Sequence, residues 1–162
     1  MNNSLFEYNP LTDNWTVKTS LPSSRMNFAV AACNGKIYVI GGKLNPQTTS
    51  AGFALSNNEA YDPPTDSWET RTSMPTARYQ TVAETVGGKI YVIGGRTGGP
   101  YTTVGTNEVY DPETDTWTTA SPIPLLVAGP SSAVVDNKIY VIGGQAEFEA
   151  SMNPGLNWIY TP

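Results

Sequence analysis

An eight-residue segment recurs along the chain with almost no change, and a single irregular core gives no reason for that. Gly35-Lys36-Ile37-Tyr38-Val39-Ile40-Gly41-Gly42 returns as Gly88-Lys89-Ile90-Tyr91-Val92-Ile93-Gly94-Gly95 and as Asn137-Lys138-Ile139-Tyr140-Val141-Ile142-Gly143-Gly144, at spacings of 53 and 49 residues. A second signature keeps step with it: Tyr8-Asn9-Pro10-Leu11-Thr12-Asp13-Asn14-Trp15, then Tyr61 to Trp68, then Tyr110 to Trp117, again 53 and 49 residues apart. Two motifs locked to one period of this length mean a structural unit repeated side by side in space.

Lys-Ile-Tyr-Val-Ile is β-branched and aromatic and too short for a helix, so each copy reads as a buried strand. The pair before it, Asn34-Gly35, Gly87-Gly88 or Asp136-Asn137, accepts the positive φ of a tight hairpin. The upstream hairpin partners are Met26 to Cys33, Tyr79 to Val86 and Ala128 to Val135, whose Ala, Val, Ser and Thr suit inner strands that converge on an axis. In Tyr-Asp-Pro-x-Thr-Asp-x-Trp, Pro fixes φ while Asp and Thr hold local amides, so a third strand ends at Tyr and a fourth starts at Trp. The unit is a four-stranded antiparallel meander of about 50 residues. Only 14% of the residues are charged, against 15 Gly and 13 Pro in 162, which excludes an all-helical bundle.

The double glycine followed by a spaced Tyr and Trp resembles the kelch repeat over essentially the whole chain. The resemblance implies an all-β, kelch-type β-propeller, its blades built from strands a to d running from a central channel to the rim. In that frame a c–d hairpin spans 5–20, blade one 25–71, blade two 78–120 and an incomplete blade three 127–160. Leu5 to Tyr8 and Leu156 to Tyr160 both claim a strand c position. Propellers close with roughly 4–8 blades, so a three-blade arc exposes an apolar face at each end. A two-fold homodimer covers both ends and makes a six-bladed ring; the competing reading is a piece of a longer kelch protein.

The net charge of −5, with no block of Lys or Arg, removes the footprint that nucleic acid or an anionic membrane needs. No apolar run approaches 18 residues, and Met1-Asn2-Asn3-Ser4 lacks the start of a signal peptide, so the expectation is a soluble chain of unassigned compartment. The sequence contains no histidine, which excludes imidazole as base, triad member or metal ligand. The copper chemistry of kelch-repeat galactose oxidase, which needs His, therefore does not carry over; no cofactor and no metal are expected. Cys33, the single cysteine, reads as a small buried hydrophobe. Acids recur at Asp13, Asp66 and Asp115 and at Glu7, Glu59 and Glu108, a repetition that points to turn and strand-edge hydrogen bonding, since catalysis needs an unrepeated constellation.

Candidate binding residues come from the positions where kelch domains that recruit proteins place their pockets, at the start of strand a and in the b–c loops. Transferred by position, these are Arg25, Asn27, Arg78, Gln80, Arg96 and Tyr101, joined by the unrepeated acid Glu84 on an inner strand. The b–c loops, Lys43 to Asn58, Arg96 to Asn107 and Gln145 to Asn157, are where the repeats stop resembling each other, as a binding face does. The reading is a non-catalytic scaffold for a protein or carbohydrate ligand. Two alternatives stand beside it. One is an enzyme resembling propeller sugar mutarotases of the sialic-acid type, using Glu84, Arg25 and Arg78; the other is a half-propeller fragment or engineered scaffold without ligand function.

Overall fold

The computed structural model describes residues 3–44, 54–98, 102–146 and 157–161, and every regular element among them is a β-strand. In chain order these are β1 (Leu5–Asn9), β2 (Asn14–Lys18), β3 (Ala29–Cys33), β4 (Lys36–Ile40), β5 (Asn58–Asp62), β6 (Ser67–Arg71), β7 (Val82–Val86) and β8 (Lys89–Ile93). They continue as β9 (Asn107–Asp111), β10 (Thr116–Ala120), β11 (Val127–Ala128), β12 (Ser131–Val135), β13 (Lys138–Ile142), β14 (Gln145–Ala146) and β15 (Asn157–Tyr160). They form the blades of a propeller arc: β3-β4-β5-β6, β7-β8-β9-β10 and a three-stranded β12-β13-β15, preceded by the isolated hairpin β1-β2. All pairings within these sheets are antiparallel.

The a–b hairpins turn as their residue types require. Asn34-Gly35, Gly87-Gly88 and Asp136-Asn137 all have positive φ, between 49° and 77°, the mirror-image turn whose twist matches the flanking strands. Strand a differs from the continuous run that the sequence suggests. Asn27 (φ 56°), Gln80 (φ 56°) and Gly129 (φ 63°) are left-handed and break it. The residues before the break pair separately, Met26 with Lys43, Tyr79 with Arg96, and β11 with β14. The break turns backbone groups sideways toward the adjacent blade: the Gln80 N–H donates to the Asn27 carbonyl at 2.8 Å and the Gly129 N–H to the Gln80 carbonyl at 2.8 Å.

At the rim the Tyr-x-x-x-x-Asp-x-Trp motif ties each blade to the one before it. Tyr61 and Tyr110 donate their hydroxyls to Asp66 and Asp115, both at 2.6 Å. The same carboxylates accept the N–H of Thr19 and of Thr72, each at 2.9 Å. Trp68 Nε1 then donates to the Thr19 carbonyl at 2.9 Å and Trp117 Nε1 to the Thr72 carbonyl at 2.8 Å. One turn motif thus serves its own blade and its neighbour.

The core lies between blades. Ala29, Ala31, Cys33, Tyr38 and Ile40 of the first full blade pack on Ala83, Ile90, Val92 and Tyr110 of the second. Small side chains on β3 allow the inner strands to approach, and the glycines after β4 and β8 allow the backbones to touch. A Cβ on Gly41 would stand 2.5 Å from the Arg78 carbonyl oxygen, and one on Gly94 would stand 2.7 Å from that of Val127. The corresponding face of blade three is open: Ile142 is 47% exposed where Ile40 is 0%, and Val135 is exposed where Cys33 is buried.

These locks make stability depend on acid. Hydrogen bonds from Tyr61 and the Thr19 amide hold the Asp66 carboxyl below the usual carboxylate range. Burial works against ionisation at Asp115, but Tyr110 and Thr72 outweigh it and hold that carboxyl down as well. Burial and the Asp66 bond push the Tyr61 phenol up to about 12. Both carboxylates are more acidic folded than unfolded, so their contribution is complete above roughly pH 4 and is lost as pH falls from there through the depressed folded values. Urea midpoints measured between pH 6 and 2.5 are expected to fall in that acid window, and to fall less steeply in Asp66→Asn/Asp115→Asn.

Candidate functional site

Arg25 and Arg78 lie inside the blades. Both side chains are 0% accessible. Arg25 pairs with Glu59 and donates to the carbonyls of Gly41 at 2.9 Å and Val39 at 3.0 Å. Arg78 donates to Glu108 at 2.9 Å and to the carbonyls of Thr106 at 2.8 Å and Gly94 at 3.1 Å. Ser23 and Thr76 donate to the second oxygens of these glutamates, at 2.9 and 2.7 Å. Burial pushes the Arg78 guanidinium down, and the charge and hydrogen bond of Glu108 oppose that. Each Arg supplies donors to carbonyls at the end of strand b, where the double glycine bends the chain out of the sheet. Both forks are engaged by groups of their own blade.

Register corrects the list of recurring acids. Val39 pairs with Glu59 and Val92 with Glu108, one residue-pair inward of Tyr61 and Tyr110. In β1 the position two before Tyr8 is Phe6; Glu7 falls on the opposite face, exposed and 3.4 Å from Lys18. Blade three replaces the whole ionic set. Its Arg position is Val127, its Ser/Thr position Leu125, and the residue paired with Val141 is Trp158.

The breaks in strand a and the residues after the double glycines carry a different set. Asn27 is exposed and Gln80 half-buried, and the Gln80 carbonyl oxygen Oε1 lies out of water with no donor among the described residues. Directly after each double glycine come Lys43, Arg96 and Gln145, held at equivalent places by their pairing with 26, 79 and 128. Lys43 Nζ lies 4.7 Å from the Tyr79 ring centroid. Arg96 donates to Thr103 Oγ1 at 3.4 Å and to Gln145 Oε1 at 3.3 Å. Lys43 is absent from the positional transfer; its signal is the residue that follows Gly-Gly.

Glu84 stands apart from this rim and accepts the Ser132 hydroxyl at 2.7 Å across the joint between blades two and three. The three groups that a mutarotase reading needs together, Glu84, Arg25 and Arg78, therefore have separate partners. Tyr101 lies outside the described residues. Cys33 is buried and donates its thiol to the Gly88 carbonyl at 3.3 Å, and burial pushes that thiol up, away from the reactive thiolate. Among the described residues no group of three or more His, Cys, Asp or Glu is placed to hold a metal. Among the described residues no helix is long and apolar enough to cross a membrane.

Comparison with known proteins agrees with this architecture. The family model for the KLHDC2/KLHL20/DRC7 Kelch-repeats domain matches residues 1–157. The F-box/kelch-repeat protein At1g67480 of Arabidopsis thaliana is 34% identical over 93 residues, 57% of this chain and 23% of that protein. The human Kelch repeat and BTB domain-containing protein 12 is 32% identical over 102 residues, 59% of this chain and 16% of the other. Alpha-scruin of Limulus polyphemus is 35% identical over 89 residues, 54% and 10%. The chain thus spans a quarter or less of these relatives. Among solved structures, the structure of YjhT superposes with a TM-score of 0.78 at 21% identity, covering 88% of this chain and 52% of that one.

The buried pairs give a stability test. Glu108→Gln leaves Arg78 charged and unmatched, with an expected loss of about 3–5 kcal/mol. Arg78→Met/Glu108→Leu removes both charges, as blade three does, and is expected to lose less than the single substitution. Urea denaturation of the three proteins at pH 7 measures both differences.

Proposed function

The chain belongs to the kelch-repeat family, and on that premise we propose that it is a non-catalytic binding scaffold whose partner docks at the channel mouth. One observation carries this: a backbone repeated blade by blade presents side chains at the mouth that are not repeated. Asn27, Gln80 and Gly129 occupy one equivalent position, and Lys43, Arg96 and Gln145 another. A rigid frame with a variable rim suits selective recognition. Two of these six residues are cations in an otherwise acidic chain of net charge −5, which favours a carboxylate-bearing protein segment. Arg25 and Arg78 serve this site indirectly, by fixing the strand ends from which the rim residues project.

The test is titration of a fluorescent Glu/Asp-rich decapeptide. Lys43→Glu/Arg96→Glu is expected to weaken binding at least tenfold with an unchanged circular dichroism spectrum. Equal binding by wild type and variant removes the rim from the site, and no binding at millimolar peptide removes the acidic-segment reading.

On the same reading the ring is completed by a second copy of the chain, giving six blades. The open apolar faces support this. The start of the arc leaves Phe28 at 36% and Val30 at 49% exposure, lining a cleft of about 160 Å³ beside the hairpin, and the other end leaves Ile142 at 47%. Light scattering is expected to return twice the 17.4 kDa of one chain. A mass of one chain at 100 μM contradicts the two-copy ring.

A further inference from the structure

The backbone groups that join neighbouring blades inside the chain recur at the two ends of the arc without those bonds among the described residues, and we infer that a second copy is joined through a third version of those joints. This rests on the two-copy reading and specifies its contacts. Inside the chain each joint uses the same pair of backbone bonds. Between the first and second full blades, Gly42 N–H donates to the Arg78 carbonyl at 2.9 Å and Gln80 N–H to the Asn27 carbonyl at 2.8 Å. Between the second and third, Gly95 N–H donates to the Val127 carbonyl at 2.7 Å and Gly129 N–H to the Gln80 carbonyl at 2.8 Å.

Continued by one step, the series pairs Gly144 N–H with the carbonyl of the partner's Arg25, and the N–H of the partner's Asn27 with the Gly129 carbonyl. None of these four groups has a backbone partner among the described residues. One end offers a donor and an acceptor, and the other offers the complementary acceptor and donor at the same spacing in sequence. Gly143 gives an independent sign. It has the φ of Gly41 and Gly94, at 69° against 65° and 69°. A Cβ on either of those would collide with the next blade's carbonyl, whereas a Cβ on Gly143 meets nothing within 4 Å among the described residues. Among the described residues, Gly143 thus has the backbone shape of an internal joint without the carbonyl that fills it there.

The rim repeats the argument. The Thr72 carbonyl accepts both Asn58 Nδ2, at 3.2 Å, and Trp117 Nε1 of the following blade, at 2.8 Å. The equivalent Ser121 carbonyl accepts Asn107 Nδ2 at 3.1 Å and no indole among the described residues, while Trp15 is 68% exposed. In the joined ring Trp15 Nε1 of one copy donates to the carbonyl of the partner's Ser121, and Asp13 accepts the amide beside it. The hairpin β1-β2 then forms the outer half of the partner's blade three. That is the edge of β13 which β15 takes in the single chain, through the pairs Val141 with Trp158 and Ile139 with Tyr160. β15 therefore yields that edge to the partner's β1 when the ring closes.

The experiment compares Gly143→Ala with Gly88→Ala. Gly88 has φ 76° and open space around its Cβ, so it carries the backbone strain of the substitution without lying at the proposed joint. Sedimentation velocity across a concentration series gives the dissociation constant of each protein. The expectation is a two-chain wild type, a dissociation constant raised about 100-fold in Gly143→Ala because the clash occurs at both joints of a two-fold ring, and wild-type association in Gly88→Ala. A wild type of two chains with Gly143→Ala associating equally well overturns the joint and leaves the two-copy reading standing. A wild type of one chain throughout overturns both.

Discussion

A blade of this protein is stable because another blade covers it. The inner strands are built from alanine, serine, threonine and valine, side chains too small to form a core within one sheet. They do so only when a second sheet lies close, and the two core clusters both span a blade boundary. The glycines that follow β4 and β8, the left-handed residues that break strand a and the Trp and Asp of the rim turns all serve that approach. In such a quasi-linear array stability is a sum of neighbour contacts, and among the described residues each end of the arc has one fewer of them. The exposed Val30, Val135 and Ile142 are where that lack is visible.

Within a blade the main polar device is the buried Arg–Glu pair. A charge this deep costs several kcal/mol in desolvation, returned only when every donor and acceptor is matched. Arg25 and Arg78 each reach a glutamate and at least two main-chain carbonyls; Arg25 Nε is matched by the Gly41 carbonyl, whereas Arg78 Nε is buried with no acceptor among the described residues. Blade three uses the other solution and substitutes Leu125 and Val127 for the hydroxyl and the cation, with Trp158 at the paired position. The ion pair is thus one of two ways to finish the same blade, and its removal as a unit differs from the loss of one partner.

Much of the fold was legible in the repeat. Copies of Lys-Ile-Tyr-Val-Ile between turn-forming pairs and a double glycine specify the a–b hairpin and its period, and Pro with Asp and Trp specifies the c–d turn. The break in strand a was not legible in blade two, because Gln80 is a poor marker of positive φ; Asn27 and Gly129 at the equivalent positions are the residue types that point to it. The burial of Arg25 and Arg78 was hidden for a related reason. An Arg at the mouth of a channel reads as a rim residue, and its glutamate lies 30 or more positions away on another strand. Glu7 resembles Glu59 as an acid just ahead of the Tyr motif, yet it stands one residue before Tyr8 where Glu59 stands two before Tyr61, and that one-residue offset in a strand reverses the face. Lys43 was missed although it follows the double glycine as Arg96 does, and its pairing with Met26 holds it at the place equivalent to that of Arg96.

Amide hydrogen exchange at the two ends tests the central claim that the arc is a series of identical joints completed by a second copy. Gln80 and Gly42, bonded across an internal joint, provide the reference. The account predicts that Asn27 and Gly144 are protected to a similar degree at concentrations where two chains associate, and lose that protection on dilution while Gln80 and Gly42 keep theirs. Exchange at Asn27 and Gly144 at the unprotected rate at every concentration, with Gln80 and Gly42 protected throughout, would contradict it.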